Sequence, residues 1–129
     1  MKKIYHLSLL LIVILITNPL TAQNTANKNI LPGSWLGKIS TNGVDLRLVF
    51  NIKLNDKDSL IATADSPDQG AKDIPGGQVT LNKQKIVIEF PSINGEYTGT
   101  VASDSTINGT WAQNGVTLPL NLKKQAASK

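Results

Sequence analysis

Between Val44 and Leu54 every second residue is apolar: Val44, Leu46, Leu48, Phe50, Ile52 and Leu54 alternate with Asp45, Arg47, Val49, Asn51 and Lys53. Successive side chains of a strand point to opposite sides, so this pattern predicts a strand with one dry and one wet face. The same period of two recurs in Leu60-Ala62-Ala64, Ile86-Ile88-Phe90, Tyr97-Gly99-Val101 and Leu118-Leu120-Leu122. Helical spacing appears nowhere after the first 22 residues.

Turn chemistry separates these runs. Asn42-Gly43 and Asn114-Gly115 each sit between two alternating segments, and both residue types tolerate the positive φ of a two-residue hairpin. Polar breaks at 55–58, 82–84, 91–95 and 103–105, together with the stretch 62–77, bring the breaks to seven and the expected strands to eight. Eight antiparallel strands, each with a single apolar face, bury that face by closing on themselves. The expected fold is all-β, a small eight-stranded up-and-down, lipocalin-like β-barrel, with a two-sheet sandwich as second choice. "INGEYTG" (93–99) and "INGTWAQ" (107–113) echo one another fourteen residues apart, as one hairpin step would.

The stretch ATADSPDQGAKDIPGG, 62–77, has no period and holds three aspartates. Ser66-Pro67-Asp68-Gln69 has the order of a helix start, with Pro at the first position and an acid beside it, and Gly70 ends it. One helical turn carrying the chain around a structural corner is the expectation.

The first residues set the compartment. Lys2-Lys3, the apolar run Leu7–Ile16 and Thr21-Ala22 follow the basic, apolar, small-residue order of a secretory signal peptide, and the run is too short to span a bilayer. The expected organisation is a signal peptide at 1–22, a disordered leader at 23–30, the barrel at 31–124 and a disordered tail at 125–129. The mature chain is expected to be exported, periplasmic or extracellular, with no membrane span. Less Lys2 and Lys3, the 13 basic residues become 11 against 9 acidic ones, a net +2. The remaining lysines are scattered without aromatic interleaving, which argues against nucleic acid.

His6 is the only histidine and there is no cysteine. A Ser-His-Asp triad, a Cys-His pair and the usual zinc or copper sites all need one or the other. The mature chain is therefore expected not to be an enzyme, with no catalytic residues, no cofactor and no metal. Asp65, Asp68 and Asp73 miss the spacing of a calcium loop. Glu89 and Glu96, posed as a glycosidase pair, read as solvated surface because alternation puts Glu89 opposite Ile88 and Phe90.

The aromatic residues offer the remaining candidate site. Trp35 and Trp111 each follow a glycine by two positions, and Gly37 and Gly99 share faces with Trp35 and Tyr97, as the packing of a tapering interior requires. Core packing is the first reading. The second is a ligand pocket at one barrel mouth, walled by Trp35, Tyr97 and Trp111 with Gln113 as a polar fixer; Arg47, by parity, points outside.

"GSWLGKI", "LRLVFNI", "ATADSPDQGAKDIPG", "PSINGEYTGTV" and "INGTWAQNGVTLPLNL" together resemble the accessory domain that precedes the catalytic domain in many secreted bacterial alpha/beta hydrolases. The resemblance covers nearly all of 31–124, and the GSW start is similar, more weakly, to the first strand of lipocalin-like barrels. The Gly-x-Ser-x-Gly nucleophile elbow of those hydrolases is not found in this sequence, so no catalytic residue transfers. The resemblance implies a non-catalytic binding or interaction module whose partner is a secreted hydrolase or its substrate. The alternatives are a carrier of a small apolar ligand and a truncated remnant of a hydrolase.

Overall fold

The computed structural model describes residues 26–127, so the expected signal peptide lies outside it. Ten strands follow in order: β1 (Gly33–Thr41), β2 (Val44–Leu54), β3 (Leu60–Ser66), β4 (Ala71–Pro75), β5 (Val79–Asn82), β6 (Lys85–Phe90), β7 (Gly95–Val101), β8 (Thr106–Gln113), β9 (Val116–Pro119) and β10 (Leu122–Lys124). They form a single antiparallel up-and-down sheet in the order β4-β3-β2-β1-β10-β8-β7-β6-β5, with β9 beside β8. A single sheet sets the sandwich aside.

The count of ten corrects the expected eight, because two of the eight passes are broken. β4 pairs with β3 and β5 pairs with β6, yet only 76–78 separates them. The Gly76 amide donates to Ala62 O at 2.9 Å and the Gly77 amide to Glu89 O at 2.7 Å, so the chain steps from one end of the sheet to the other and closes it. A Cβ on Gly76 would collide with the Ala62 carbonyl. The last pass breaks between β9 and β10, where the Leu120 amide donates to Gly109 O at 2.8 Å. β10 then seals the ring against β1 through Trp35–Lys124 and Leu36–Lys123.

Alternating strand directions give the barrel two distinct ends. The hairpin end carries 42–43, 67–70, 91–94 and 114–115; the leader end carries 26–32, 55–59, 83–84 and 102–105. Both Asn-Gly pairs have positive φ at both residues, the hairpin turn that matches strand twist. The corner is a 3-10 turn, Pro67–Gln69, ended by Gly70 at φ 66. It is a tight hairpin joining β3 to β4, so most of 62–77 is strand. Ser66 does not cap the turn as its sequence suggested; its hydroxyl donates to the Gln69 side chain at 2.8 Å.

A second such turn, Pro91–Ile93, follows β6 and ends at Asn94 with φ 51. This is the structural repeat, and the INGEYTG/INGTWAQ echo is not. In the first copy the glycine, Gly95, starts β7; in the second, Gly109 lies inside β8, paired with Gly99.

The described part of the leader, 26–30, is ordered rather than disordered. Ala26 N donates to Lys83 O at 3.0 Å, Lys28–Ile30 forms a 3-10 turn, and Leu31 is fully buried behind it. Lys28 pairs with Asp58, and Lys124 Nζ donates to Ile30 O at 2.6 Å. The inner residues of all passes meet in one hydrophobic core.

Candidate functional site

The four aromatic-pocket candidates lie inside the barrel and are engaged there. Phe50 is the hub, with ring centroids 5.3 Å from Phe90, 5.2 Å from Tyr97 and 5.9 Å from Trp111. Tyr97 and Trp111 are cross-strand partners on β7 and β8, and Trp35 is opposite Phe50 on β1. Such tilted and offset pairs add to the apolar area they bury. Glycines make the room: a Cβ on Gly95 would sit 2.5 Å from the Trp111 ring, and one on Gly99 2.8 Å from that of Tyr97.

Each polar handle has an internal partner. Trp35 Nε1 donates to Leu31 O at 2.8 Å, and the Tyr97 hydroxyl to Leu120 O at 3.0 Å. Trp111 Nε1 donates to Gln113 Oε1 at 3.2 Å, and Gln113 Nε2 to Ile93 O at 2.9 Å. Gln113 therefore ties the second 3-10 turn to the core. Burial pushes the Tyr97 phenol well above its usual range. An eight-pass barrel is only just wide enough to be filled by side chains, and this one uses its aromatics to do so.

Two of the candidate carboxylates, Asp68 and Asp65, are likewise engaged. Asp68 takes three bonds from the Arg47 guanidinium, the shortest 2.8 Å, and one from the Arg47 amide at 2.8 Å, which together hold its pKa down to about 2. This fork clamps the Pro67–Gln69 turn onto β2, and Arg47 does lie outside. Asp65 accepts from Asn51 Nδ2 and from the Asp73 amide, at 3.1 and 2.8 Å. Glu89 and Glu96 are exposed and directly opposite one another on β6 and β7. At the hairpin end, the Ser40 hydroxyl and then Lys38 lower the pKa of Asp45.

Among the described residues, two open concavities lie elsewhere, on either side of the lower β2–β3 hairpin. One groove of about 990 Å³ runs over the outer face of β1–β3 between Pro32, Ser34, Asn51, Leu54, Ile61 and Asp73. Within it the Ser34 hydroxyl donates to Asn51 Oδ1 at 2.7 Å, and Ile61 is an exposed apolar side chain. The other, about 530 Å³, lies where β3 and β5 diverge below Gly76. Leu60, Val79 and Leu81 line it, with Ala26, Lys28 and Ser59 at its edge. Sequence reasoning missed both, since each draws on separate segments and neither has a local pattern.

No family model matches the chain, and no curated protein matches it. Among solved structures, that of EF1p2_mFAP2b bound to DFHBI is similar, at 15% identity over 76% of this chain and 96% of that one, with a TM-score of 0.45. That likeness is too slight to bring a ligand across to this chain.

Proposed function

We propose that this chain is an exported, non-catalytic binding module that takes a small apolar ligand in the grooves at its leader end. The observation that supports this is the occupancy of the interior: the aromatic rings pack on one another and every polar handle among Trp35, Tyr97, Trp111 and Gln113 is bonded within the chain. The grooves, by contrast, are open and partly apolar, and the smaller has the size of a small-molecule site, roughly 300–1,000 Å³. The absence of catalysis rests on the sequence, whose sole histidine falls in the segment read as a signal peptide. Export rests on that same segment.

Amide NMR of the mature chain titrated with a soluble fatty ester tests the proposal. Shifts at Leu60, Ile61, Val79 and Leu81 with the two indole N–H signals unmoved support it. Indole shifts without groove shifts establish carriage inside the barrel, and ester turnover establishes an enzyme; either outcome removes the proposal. N-terminal sequencing of exported material checks for a start after Ala22 or Gln23.

A second reading takes its partner from the accessory-domain resemblance. The Ser66–Gly70 turn, which carries much of that resemblance, is exposed apart from Ser66 and held rigid by Arg47 at the opposite end of the barrel. A secreted hydrolase would dock there. Loss of hydrolase capture in Arg47→Ala, with groove binding kept, is the expected result; capture indifferent to that change counts against this reading.

A further inference from the structure

The two ends of the barrel carry opposite charge. The connections of the leader end hold Lys57 with Asp56 and Asp58, then Lys83, then Asp104; Lys28 stands on the leader, and Lys53, Lys85, Lys123 and Lys124 close the adjoining strand ends. Seven lysines thus meet three aspartates, a net +4. At the hairpin end Lys38, Arg47 and Lys72 meet Asp45, Asp65, Asp68, Asp73, Glu89 and Glu96, a net −3. Among the described residues, two of the three hairpin-end cations are in ion pairs, with Asp45 and Asp68, whereas Lys28 alone of the leader-end lysines is in one. A surplus of one sign around a low-dielectric concavity raises the local concentration of the opposite ion.

The groove between β3 and β5 opens at this basic end. Its floor is apolar, from Leu60, Val79 and Leu81, and Lys28 stands at its rim. Lys28 Nζ donates to Asp58 O at 3.0 Å and to the Asp58 carboxylate, both side chains being largely exposed, at 41% and 68%. An ion pair so exposed is worth only about 0–1 kcal/mol, so an incoming anion can share or replace Asp58 at little cost. Lys83, whose carbonyl holds Ala26, lies in the adjacent connection.

We infer that the groove between β3 and β5 binds a single-chain anionic amphiphile, its alkyl chain along Leu60, Val79 and Leu81 and its head group among the leader-end lysines. This rests on the groove reading above and adds the sign of the ligand. The charge surplus disfavours cationic amphiphiles in the same groove.

Titration of the mature chain with decanoate, decyl maltoside and decyltrimethylammonium, each below its micelle concentration, tests the inference by amide NMR. Decanoate is expected to shift Lys28, Leu60, Val79 and Leu81 and to bind at least tenfold more tightly than the cationic probe. Lys28→Gln, or Lys83→Gln where loss of the Asp58 contact loosens the leader, weakens decanoate by about threefold or more, as does raising the salt several-fold. Equal affinity for the three head groups overturns the inference while leaving the groove reading intact. No shift at the groove with any probe overturns both. Binding to anionic vesicles without binding of monomeric decanoate overturns the inference in favour of a membrane surface.

Discussion

Replacing Tyr97 by Phe probes the break between β9 and β10 most directly. The phenyl ring keeps its place 5.2 Å from Phe50, so the aromatic packing survives, and only the hydroxyl bond to Leu120 O, 3.0 Å long, is lost. Tyr97 and Leu120 are both fully buried, and the Leu120 carbonyl belongs to a residue between the two strands. Leaving a buried acceptor without its donor costs about 1–3 kcal/mol. For a domain near one hundred residues each kcal/mol moves Tm by roughly 4–8 °C, so a loss of about 2 kcal/mol lowers Tm by about 8–16 °C. Urea unfolding followed by tryptophan fluorescence, with an unchanged m-value, gives the free energy. A Tyr97→Phe protein within about 0.5 kcal/mol of the parent, inside the scatter of neutral substitutions, would refute the claim that this bond holds the break in place.

Three further outcomes follow from the same geometry. Gly37→Ala sets a methyl group into the Leu120 side chain and 2.7 Å from Asn121 O, and is expected to destabilise by about 1–3 kcal/mol in chemical denaturation. Phe50→Ala removes the ring shared by three aromatic contacts and should cost about 3–5 kcal/mol, with calorimetry as the check. Asp68, near 3.9 when unfolded and about 2 in the fold, stabilises above pH 4 and loses that contribution as pH falls towards 2. Asp68→Asn is therefore expected to flatten the acid limb of the stability profile; a limb of unchanged slope counts against the Arg47 clamp.

Much of the architecture was legible because it is local. The alternation over Val44–Leu54 has the same bounds as β2, with only Val44, beside the turn, left exposed on its apolar side, and both Asn-Gly pairs form the turns their φ tolerance favours. The halving of two passes was not legible, since it depends on contacts distant in sequence, such as Gly76 meeting Ala62 and Leu120 meeting Tyr97. Leu31 carried no period and so hid the ordered leader that it anchors. The aromatic candidates were placed on the correct face, but whether that face is core or pocket depends on ring packing that spacing cannot express. The lysines read as scattered because successive connections alternate between the two ends; once strand direction is assigned, they gather at one.

The seal between β1 and β10 has a consequence for the order of folding events. Only two residue pairs join the first strand to the last, and among the strand pairings they are the most distant in the chain, whereas β1 and β2 share nine. Such pairings carry the greatest loop-closure entropy for the least return, so the seal zips last and frays first. Amide hydrogens at Leu36 and at Gln125, which donates to Ser34 O at 2.8 Å, should exchange with solvent well before those in the middle of β2, making the closed ring a latch rather than a weld.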